Sequence, residues 1–317
     1  MNKLWAITCF FNPAGYRRRV QNYRWFREKL SVPLITVELS FNGQFTLGPA
    51  DADILVQLTQ GDIMFQKERL LNIALKRVPI DCSAIAWLDC DVVFASRDWP
   101  EQTLKALERF AIVQLFSERF DLPPDIGPQA IPEWNAPCDR PSLMAMIASE
   151  GLRASDFHQE HFPRYSAWGL AWAAPRELLA KHGLYDACVL TNGDGAIFGA
   201  GFGVEESRFL RWRMNDASLR HYLEWAKPFS ADVGGKIGYI EGGLFHFWHG
   251  GLAERRYGKC LLELQELGFD PFTDIAATEE GTWRWASEKP ELHAHVKEYF
   301  WSRKEDAGYL DPKESRP

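Results

Sequence analysis

The first half of the chain alternates short apolar runs with segments whose apolar residues recur at helical spacing. The apolar runs predict strands at 5–11, 33–39, 85–94 and 111–116. The segments between them predict helices at 19–30, 65–76 and 103–110. Strands that alternate with helices are typical of a mainly parallel sheet that helices cover on both faces. The pattern therefore predicts an α/β fold for this half of the chain.

A proline-rich segment at 121–163 interrupts the alternation. It carries prolines at positions 123, 124, 128, 132, 137, 141 and 163. Long segments without regular structure are uncommon inside compact domains and are usually functional. We therefore expect a lid or an acceptor-binding loop here.

Downstream of this loop, the pattern predicts further strands at 165–174 and 238–248, with a helix at 176–182. Another helix is expected from about Gly195, and Asp194 could be its N-terminal cap. Beyond about residue 274 the chain is charged and rich in tryptophan, which favours a helical appendage. We expect one α/β domain over residues 1–275 and a charged helical tail over 276–317.

The composition of the chain limits the classes of partner it is expected to bind and the cellular compartment in which it is expected to lie. The 317 residues include 36 Lys or Arg and 43 Asp or Glu, which gives a net charge of −7. An acidic chain without a long basic stretch is not typical of proteins that bind nucleic acid, so we expect no such partner. No apolar run approaches about 18 residues, so no membrane span is expected. The six cysteines show no metal-finger spacing and the first residues lack the apolar length of a signal peptide, which favours the cytoplasm.

The first candidate for chemistry is a pair of acids in the middle of the predicted strand 85–94. Asp89 and Asp91 follow the apolar run at 85–88 and precede the apolar run at 92–94. In a strand they would point to the same face, about 6.6 Å apart along the chain. Hard oxygen ligands at such a place suit Mn²⁺ or Mg²⁺, and the ion would suit a diphosphate. The alternative is a pair of acids in a loop at a strand end.

Two histidines form the second candidate. His246 and His249 end the predicted strand 238–248 and lie three residues apart. If the chain turns at Trp248, both imidazoles could face one ion and complete a mixed oxygen and nitrogen shell that Mn²⁺ accepts. The alternative is that they are hydrogen-bonded structural histidines.

Residues after the first strand could bind a donor. A turn from a strand to a helix offers free backbone N–H groups to phosphate or ribose, and Phe10, Asn12 and Arg17 lie at this turn. The alternative is a solvated helix start. Trp168 and Trp248 could stack on sugar rings of an acceptor, although most tryptophans pack in the core.

Several segments, in this order along the chain, resemble GT-A-type glycosyltransferases, particularly the galactosyltransferase-like group that includes the β-1,4-galactosyltransferases. The resemblance is carried by FQKERLLNI at 65–73, WLDCDV at 87–92, WGLAW at 168–172, GLYD at 183–186 and the histidines at 246 and 249. It covers about residues 4–251. The order and the spacing of the segments carry it, because no single motif is specific.

The resemblance implies a GT-A-like catalytic domain and a metal-dependent, inverting transfer of a sugar from a nucleotide sugar, most simply a UDP-sugar, to a hydroxyl acceptor. Asp91 would be the direct ligand of Mn²⁺ or Mg²⁺, with His246 and His249 completing the shell. Asp89 would hold the ribose or a metal-bound water. Asp194 would be the general base that an inverting displacement needs.

The sequence departs from that group in the catalytic turn, and two other classes of function stay open. The group tends to have adjacent acids where this chain has Asn192-Gly193-Asp194, so Glu205 and Glu206 are weaker candidates for the base. Arg69, on the predicted helix 65–76, would bind a donor phosphate or position the sheet. One alternative is a non-catalytic protein that binds a nucleotide sugar or a glycan on a decayed transferase fold. The other is a metal-dependent phosphohydrolase or nucleotidyltransferase.

Overall fold

The structure is a computed structural model that describes residues 3–158 and 165–307. Its strands are β1 (Leu4–Phe11), β2 (Leu34–Leu39), β3 (Ile54–Leu58), β4 (Ala84–Leu88), β5 (Val92–Phe94), β6 (Ile112–Gln114), β7 (Glu118–Asp121), β8 (Arg140–Pro141), β9 (Ala171–Pro175), β10 (Ile237–Tyr239), β11 (Gly243–His246), β12 (Ile275–Ala277) and β13 (Trp283–Trp285).

The helices flank these strands. They are α1 (Arg17–Lys29), α2 (Lys67–Leu75), α3 (Trp99–Leu107), α4 (Leu143–Glu150), α5 (Arg176–His182), α6 (Gly193–Phe202), α7 (Arg208–Arg211), α8 (Asp216–Val233), α9 (Leu252–Arg255), α10 (Tyr257–Glu266) and α11 (Pro290–Ser302), with 3₁₀ helices at Pro128–Glu133 and Ala154–His158. Within the described ranges, no helix is both long enough and apolar enough to cross a membrane.

A seven-stranded sheet forms the centre of the fold, in the order β10-β6-β9-β4-β1-β2-β3. Its strand pairs are parallel, except that β9 runs antiparallel to both β4 and β6. The predicted α/β fold with a mainly parallel sheet is therefore confirmed.

The central strands are apolar on both faces, as strands covered by helices must be. All residues of β2 and β4 are buried. Neighbouring residues along one strand belong to different core clusters, because successive side chains point to opposite faces. Ile7 and Trp87 lie in the cluster on one face, whereas Ala6 and Leu88 lie in the cluster on the other. The sheet thus has a separate apolar core on each side.

The prediction of one continuous strand over 85–94 is wrong, and the difference matters for the site. The chain leaves the central sheet after Leu88, and Val92 begins β5 in a second, four-stranded sheet of order β5-β11-β7-β8. Asp89 and Asp91 therefore lie on the connection between two sheets. The expectation that both point to one face of a strand is wrong. The backbone of this connection is tied down by a hydrogen bond from Asp89 N to Leu170 O, at 2.7 Å.

The strand predicted at 238–248 divides in the same way. It splits into β10 in the central sheet and β11 in the second sheet, with Gly242 between them at a φ of 129°. Only glycine adopts such a φ without strain. The chain likewise passes from β6 to β7 through three residues. Three strands of the central sheet, β4, β6 and β10, are thus each followed directly by a strand of the second sheet. This arrangement brings their carboxyl ends together.

The proline-rich segment and the tail contain more regular structure than the pattern predicted. The segment 121–163 includes both 3₁₀ helices, β8 and α4, and its residues 159–163 lie outside the described residues. The boundary at 275/276 falls inside β12, and residues 308–317 of the tail are also outside the described ranges. On α11, Leu292, Val296 and Phe300 are buried in the larger core cluster.

Candidate functional site

A cavity of about 160 Å³ opens at the carboxyl ends of β1 and β4. This is the edge where ligands bind in open α/β sheets. Its walls come from distant parts of the chain: Thr8, Cys9 and Phe11 of β1, Arg19 and Asn22 of α1, Phe65 and Lys67 near the start of α2, the segment 88–91, Thr191 and Asp194, and finally His249, Tyr299, Arg303 and Glu305.

Asp91, His246 and His249 meet at one side of this cavity. One ligand atom from each lies within 4.8 Å of the others. Asp91 Oδ2 lies 3.9 Å from His246 Nε2 and 3.7 Å from His249 Nδ1. The antiparallel pairing of β11 with β5 causes this approach, because it places His246 opposite Val92 and lets Phe247 N donate to Asp91 O at 2.9 Å.

Asp121, at the end of β7, orients His246 and was missed by the sequence analysis. His246 Nδ1 lies 2.8 Å from Asp121 Oδ1. Because a carboxylate accepts this hydrogen bond, Nδ1 carries a proton, and Nε2 is the nitrogen that points toward Asp91 and could bind a cation. Burial opposes ionisation of Asp121, but the hydrogen bond with His246 and the charge of Arg119 hold the pKa of Asp121 well below its usual range.

Arg303 contacts the second histidine. Its Nη2 lies 2.9 Å from His249 Nδ1, and a guanidinium can only donate, so Nδ1 accepts. Burial, reinforced by the positive charges of Arg255 and Arg303, lowers the pKa of His249 well below its usual range. The neutral imidazole that a metal ligand requires is therefore the stable form of His249 here.

The donor set fits a divalent cation. Within the described part of the chain, Asp91 Oδ1 is buried without a hydrogen-bond partner. Buried polar atoms usually have partners, so an unpartnered carboxylate oxygen beside two imidazole groups indicates a missing ligand. A mixed oxygen and nitrogen shell suits Mn²⁺ and does not exclude Mg²⁺.

Lys67, at the first position of α2, contacts two further acids of the cavity, Asp89 and Asp194. Its Nζ lies 2.6 Å from Asp89 Oδ1 and 3.1 Å from Asp194 Oδ2. Burial by itself would lower the pKa of Lys67, but Asp194 and Asp89 raise it well above its usual range. Burial raises the pKa of Asp89 to about 6, against the opposing charge of Lys67. The lysine is thus a fixed cation between two carboxylates.

Glu68 supplies a further carboxyl group next to the turn formed by residues 192–194. It is 2% exposed, and burial raises its pKa to about 8. A Cβ added to Gly193 would stand 2.1 Å from Glu68 Oε1, so only glycine fits there. The turn at 192–194 contains only one acid in its own sequence, but the carboxyl group of Glu68 on α2 lies against it.

Asp194 lies in the first turn of α6, where it pairs with Lys67. The N-terminal cap of α6 is Asn192, so the expectation that Asp194 caps this helix is wrong. The reason is that α6 begins at Gly193, two residues earlier than the pattern indicated. A carboxylate in the first turn still interacts favourably with the helix dipole.

Several predicted site residues lie away from the cavity walls. Phe10 packs on Tyr23 in a small core cluster. Asn12 closes the turn before α1 through two hydrogen bonds with the backbone of Tyr16, while Arg17 N donates to Asp306 Oδ2. Phe11 and Arg19, their neighbours, line the cavity instead. Roles in donor binding for Phe10, Asn12 and Arg17 stay predictions.

Arg69 and the two tryptophans are also held by the protein. Arg69 pairs with Asp186 at 3.1 Å and lies over the ring of Trp283. Trp168 packs edge-on against Phe198, and Trp248 is half-buried next to His249. Donor binding by Arg69 and acceptor binding by the tryptophans stay predictions.

No protein-family model matches this chain, and no curated protein matches it significantly. Solved structures that match include a glucosyl-3-phosphoglycerate synthase from Mycobacterium tuberculosis with Mn²⁺, UDP and phosphoglyceric acid, at 13% identity and a TM-score of 0.38, over 84% of this chain and 79% of that one. TarS from S. aureus matches at 10% identity and a TM-score of 0.38, over 98% of this chain and 76% of that one.

The catalytic domain of Drosophila β1,4-galactosyltransferase 7, solved with xylobiose, also matches, at 10% identity and a TM-score of 0.34, over 75% of this chain and 65% of that one. At these identities and TM-scores, the likeness says nothing about the activity of this chain.

Proposed function

We propose that this protein is a metal-dependent, inverting glycosyltransferase that moves a sugar from a nucleotide sugar, a UDP-sugar, to a hydroxyl group of a glycan or another acceptor. One observation carries the proposal. A candidate metal site and a lysine-bridged pair of carboxylates face the same cavity, at the edge of a parallel sheet where nucleotides bind. The nucleotide-sugar donor comes from the resemblance of the motifs that carry these residues.

In this proposal Asp91, His246 and His249 hold Mn²⁺ or Mg²⁺, which when bound neutralises charge on the leaving diphosphate. Asp121 keeps His246 in the tautomer that exposes Nε2. Asp89 contacts Lys67 and lines the same cavity, where it would accept hydrogen bonds from the ribose of the donor.

Asp194 is the proposed general base. An inverting displacement needs a carboxylate that removes the proton of the attacking hydroxyl. Its position in the first turn of α6 fixes the direction of Asp194, and Lys67 Nζ lies 3.1 Å from both of its carboxylate oxygens. Lys67 must therefore shift toward Asp89 or the donor when the acceptor is deprotonated.

Calorimetric titration with UDP, in the presence and the absence of Mn²⁺ and with GDP and CMP as controls, tests the donor site. We expect UDP binding that requires Mn²⁺, and we expect Asp91→Asn to abolish it, while Asp81→Asn at the exposed surface changes nothing. If none of the nucleotides binds with or without metal, the proposal is wrong. Retained binding with unchanged metal dependence in Asp91→Asn would remove Asp91 from the site.

The ion pair between Lys67 and Asp194 also favours a second candidate, a binding protein on a decayed transferase fold. Such a protein would hold UDP-sugar with Mn²⁺ and release no UDP. Measuring UDP release from UDP-glucose and UDP-galactose, with and without simple sugar acceptors, separates the two. Cleavage between the two phosphates without any acceptor would instead indicate a phosphohydrolase or nucleotidyltransferase.

A further inference from the structure

We propose that Arg303 is a residue of the donor site that serves two alternative partners. Without a cation it holds the metal-ligating nitrogen of His249; when a cation occupies the site, it releases this nitrogen and binds the donor diphosphate. The inference rests on the proposed function, and it assigns a role to the segment after α11 that the motifs in the sequence do not indicate.

The guanidinium of Arg303 is held on three sides. Nη2 donates to His249 Nδ1 at 2.9 Å, Nη1 lies 3.3 Å from the hydroxyl of Tyr299, and Nε lies 2.6 Å from Glu305 Oε1. Arg303 is 5% exposed and lines the cavity. It is therefore a buried cation placed next to the candidate metal ligands.

The contact with His249 is incompatible with metal binding at the same nitrogen. Nδ1 is the ring nitrogen of His249 that lies 3.7 Å from Asp91 Oδ2. An imidazole nitrogen has a single lone pair, so it can accept from Arg303 or bind a cation, but not both. Two positive charges at this distance also repel each other. Arg303 must therefore turn away from His249 when a cation is bound.

The backbone that carries Arg303 is fixed, so a change of partner involves its side chain alone. Tyr16 Oη donates to the carbonyls of Phe300 and Trp301 at 2.9 Å, and it accepts from Lys304 N at 3.1 Å. A Cβ added to Gly250 would stand 2.4 Å from the carbonyl oxygen of Arg303. The segment is packed closely against the turn that follows β11.

A diphosphate would give the displaced guanidinium its new partner. Glu305 is fully buried between Arg19 and Arg303, with Arg19 Nε at 3.0 Å from Glu305 Oε2. This trio lines the same cavity as Asp91 and carries a net charge of +1. A guanidinium binds phosphate oxygens through paired, charge-assisted hydrogen bonds. The wall formed by Arg303 and Arg19 is therefore suited to the diphosphate oxygens that the cation does not neutralise.

The test measures metal binding and nucleotide binding separately. Free Mn²⁺ is followed by electron paramagnetic resonance without nucleotide, in wild type and in Arg303→Met. We expect Mn²⁺ to bind about fivefold tighter to the variant, because one competing hydrogen bond has been removed. At saturating Mn²⁺, UDP should bind the variant about tenfold more weakly, because a charge-assisted contact is lost.

Arg255→Met is the matched control. Arg255 is also buried beside His249, but its Nη2 donates to Gly250 O at 3.0 Å. Equal tightening of Mn²⁺ in both variants would reduce the effect to a loss of nearby charge and overturn the competition. If Arg303→Met does not fold, Arg303→Gln keeps a polar side chain without the charge, and because a neutral amide donates a weaker hydrogen bond than a guanidinium, Mn²⁺ should again bind more tightly.

A failure of the inference about Arg303 can be distinguished from a failure of the proposed function. Wild type that binds Mn²⁺ and UDP, with Mn²⁺ affinity unchanged in the Arg303 variants, overturns the role of Arg303 and leaves the proposed function standing. Wild type that binds neither Mn²⁺ nor UDP overturns both.

Discussion

Gly169 lies directly against the carboxylate of Asp194: a Cβ added to Gly169 would stand 2.2 Å from Asp194 Oδ2. The segment before β9 thus leaves room for the proposed base only because residue 169 has no side chain. The same carboxylate is also held by Lys67. The position of Asp194 is therefore set by a glycine and a lysine that lie far from it in the sequence.

Gly169→Ala should displace the Asp194 carboxylate from Lys67. We expect a loss of about 1–3 kcal/mol in the free energy of unfolding, as is typical of overpacking a close-packed site. Transfer activity should fall at least about tenfold, since misplaced catalytic groups are costly. Mn²⁺-dependent UDP binding should be retained. Gly48→Ala is the control, because a Cβ at Gly48 would make only an ordinary contact, 3.9 Å from Asp51 Oδ2, and equal losses in both variants would contradict the prediction.

Asp194→Asn should remove transfer while UDP binding stays within about twofold of wild type. Loss of a general base typically costs about 10²–10⁴ in rate. Lys67 keeps its contact with Asp89, so the fold should tolerate the change. Asp216→Asn, which alters an exposed first-turn acid of α8, controls for the helix dipole. Unchanged transfer per folded molecule would show that Asp194 is structural.

Glu68→Gln should change how stability depends on pH. The folded-state pKa of Glu68 is raised to about 8 by burial, so between its unfolded value and pH 8 the folded state binds the extra proton. The free energy of unfolding therefore falls as pH rises through this window, by no more than about 1.4 kcal/mol per pH unit. Glutamine cannot ionise, so the variant lacks this slope.

Denaturant unfolding from pH 5 to 8.5 measures the effect. The stability of Glu68→Gln relative to wild type should grow with pH, whereas Glu150→Gln on α4 should run parallel to wild type. A remaining slope below about pH 6 is expected from Asp89, whose pKa is raised to about 6. Parallel curves for wild type and Glu68→Gln would mean that Glu68 is ionised in the folded protein.

Asp121→Asn should weaken Mn²⁺ binding about 10–100-fold without removing a ligand. The hydrogen bond from His246 Nδ1 fixes the tautomer of this ring, and partners of this kind typically contribute that much to metal affinity. Asp125→Asn, an exposed acid in the same segment, is the control. Unchanged Mn²⁺ affinity in Asp121→Asn would mean that His246 is not a ligand.

Regular elements were predictable where local pattern decides them. The strands β1 and β2 and the helix α5 were expected within two residues of their observed bounds, since an apolar run or a helical period needs no distant information. The break after Leu88 was not predictable, because apolar runs on both sides of Asp89 and Asp91 are equally compatible with one continuous strand, although the chain changes sheets there.

By itself, the sequence determined the alternation of strands and helices and placed Asp91, His246 and His249 at strand ends. Only the tertiary structure decided that Lys67 bridges Asp89 and Asp194, that Asp121 holds His246 and that Arg303 holds His249. Lys67 and Asp194 are 127 residues apart in the chain, and Asp121 and His246 are 125 apart. Periodicity acts between neighbours in sequence, whereas the partner of a buried charge is chosen by distance in the folded chain.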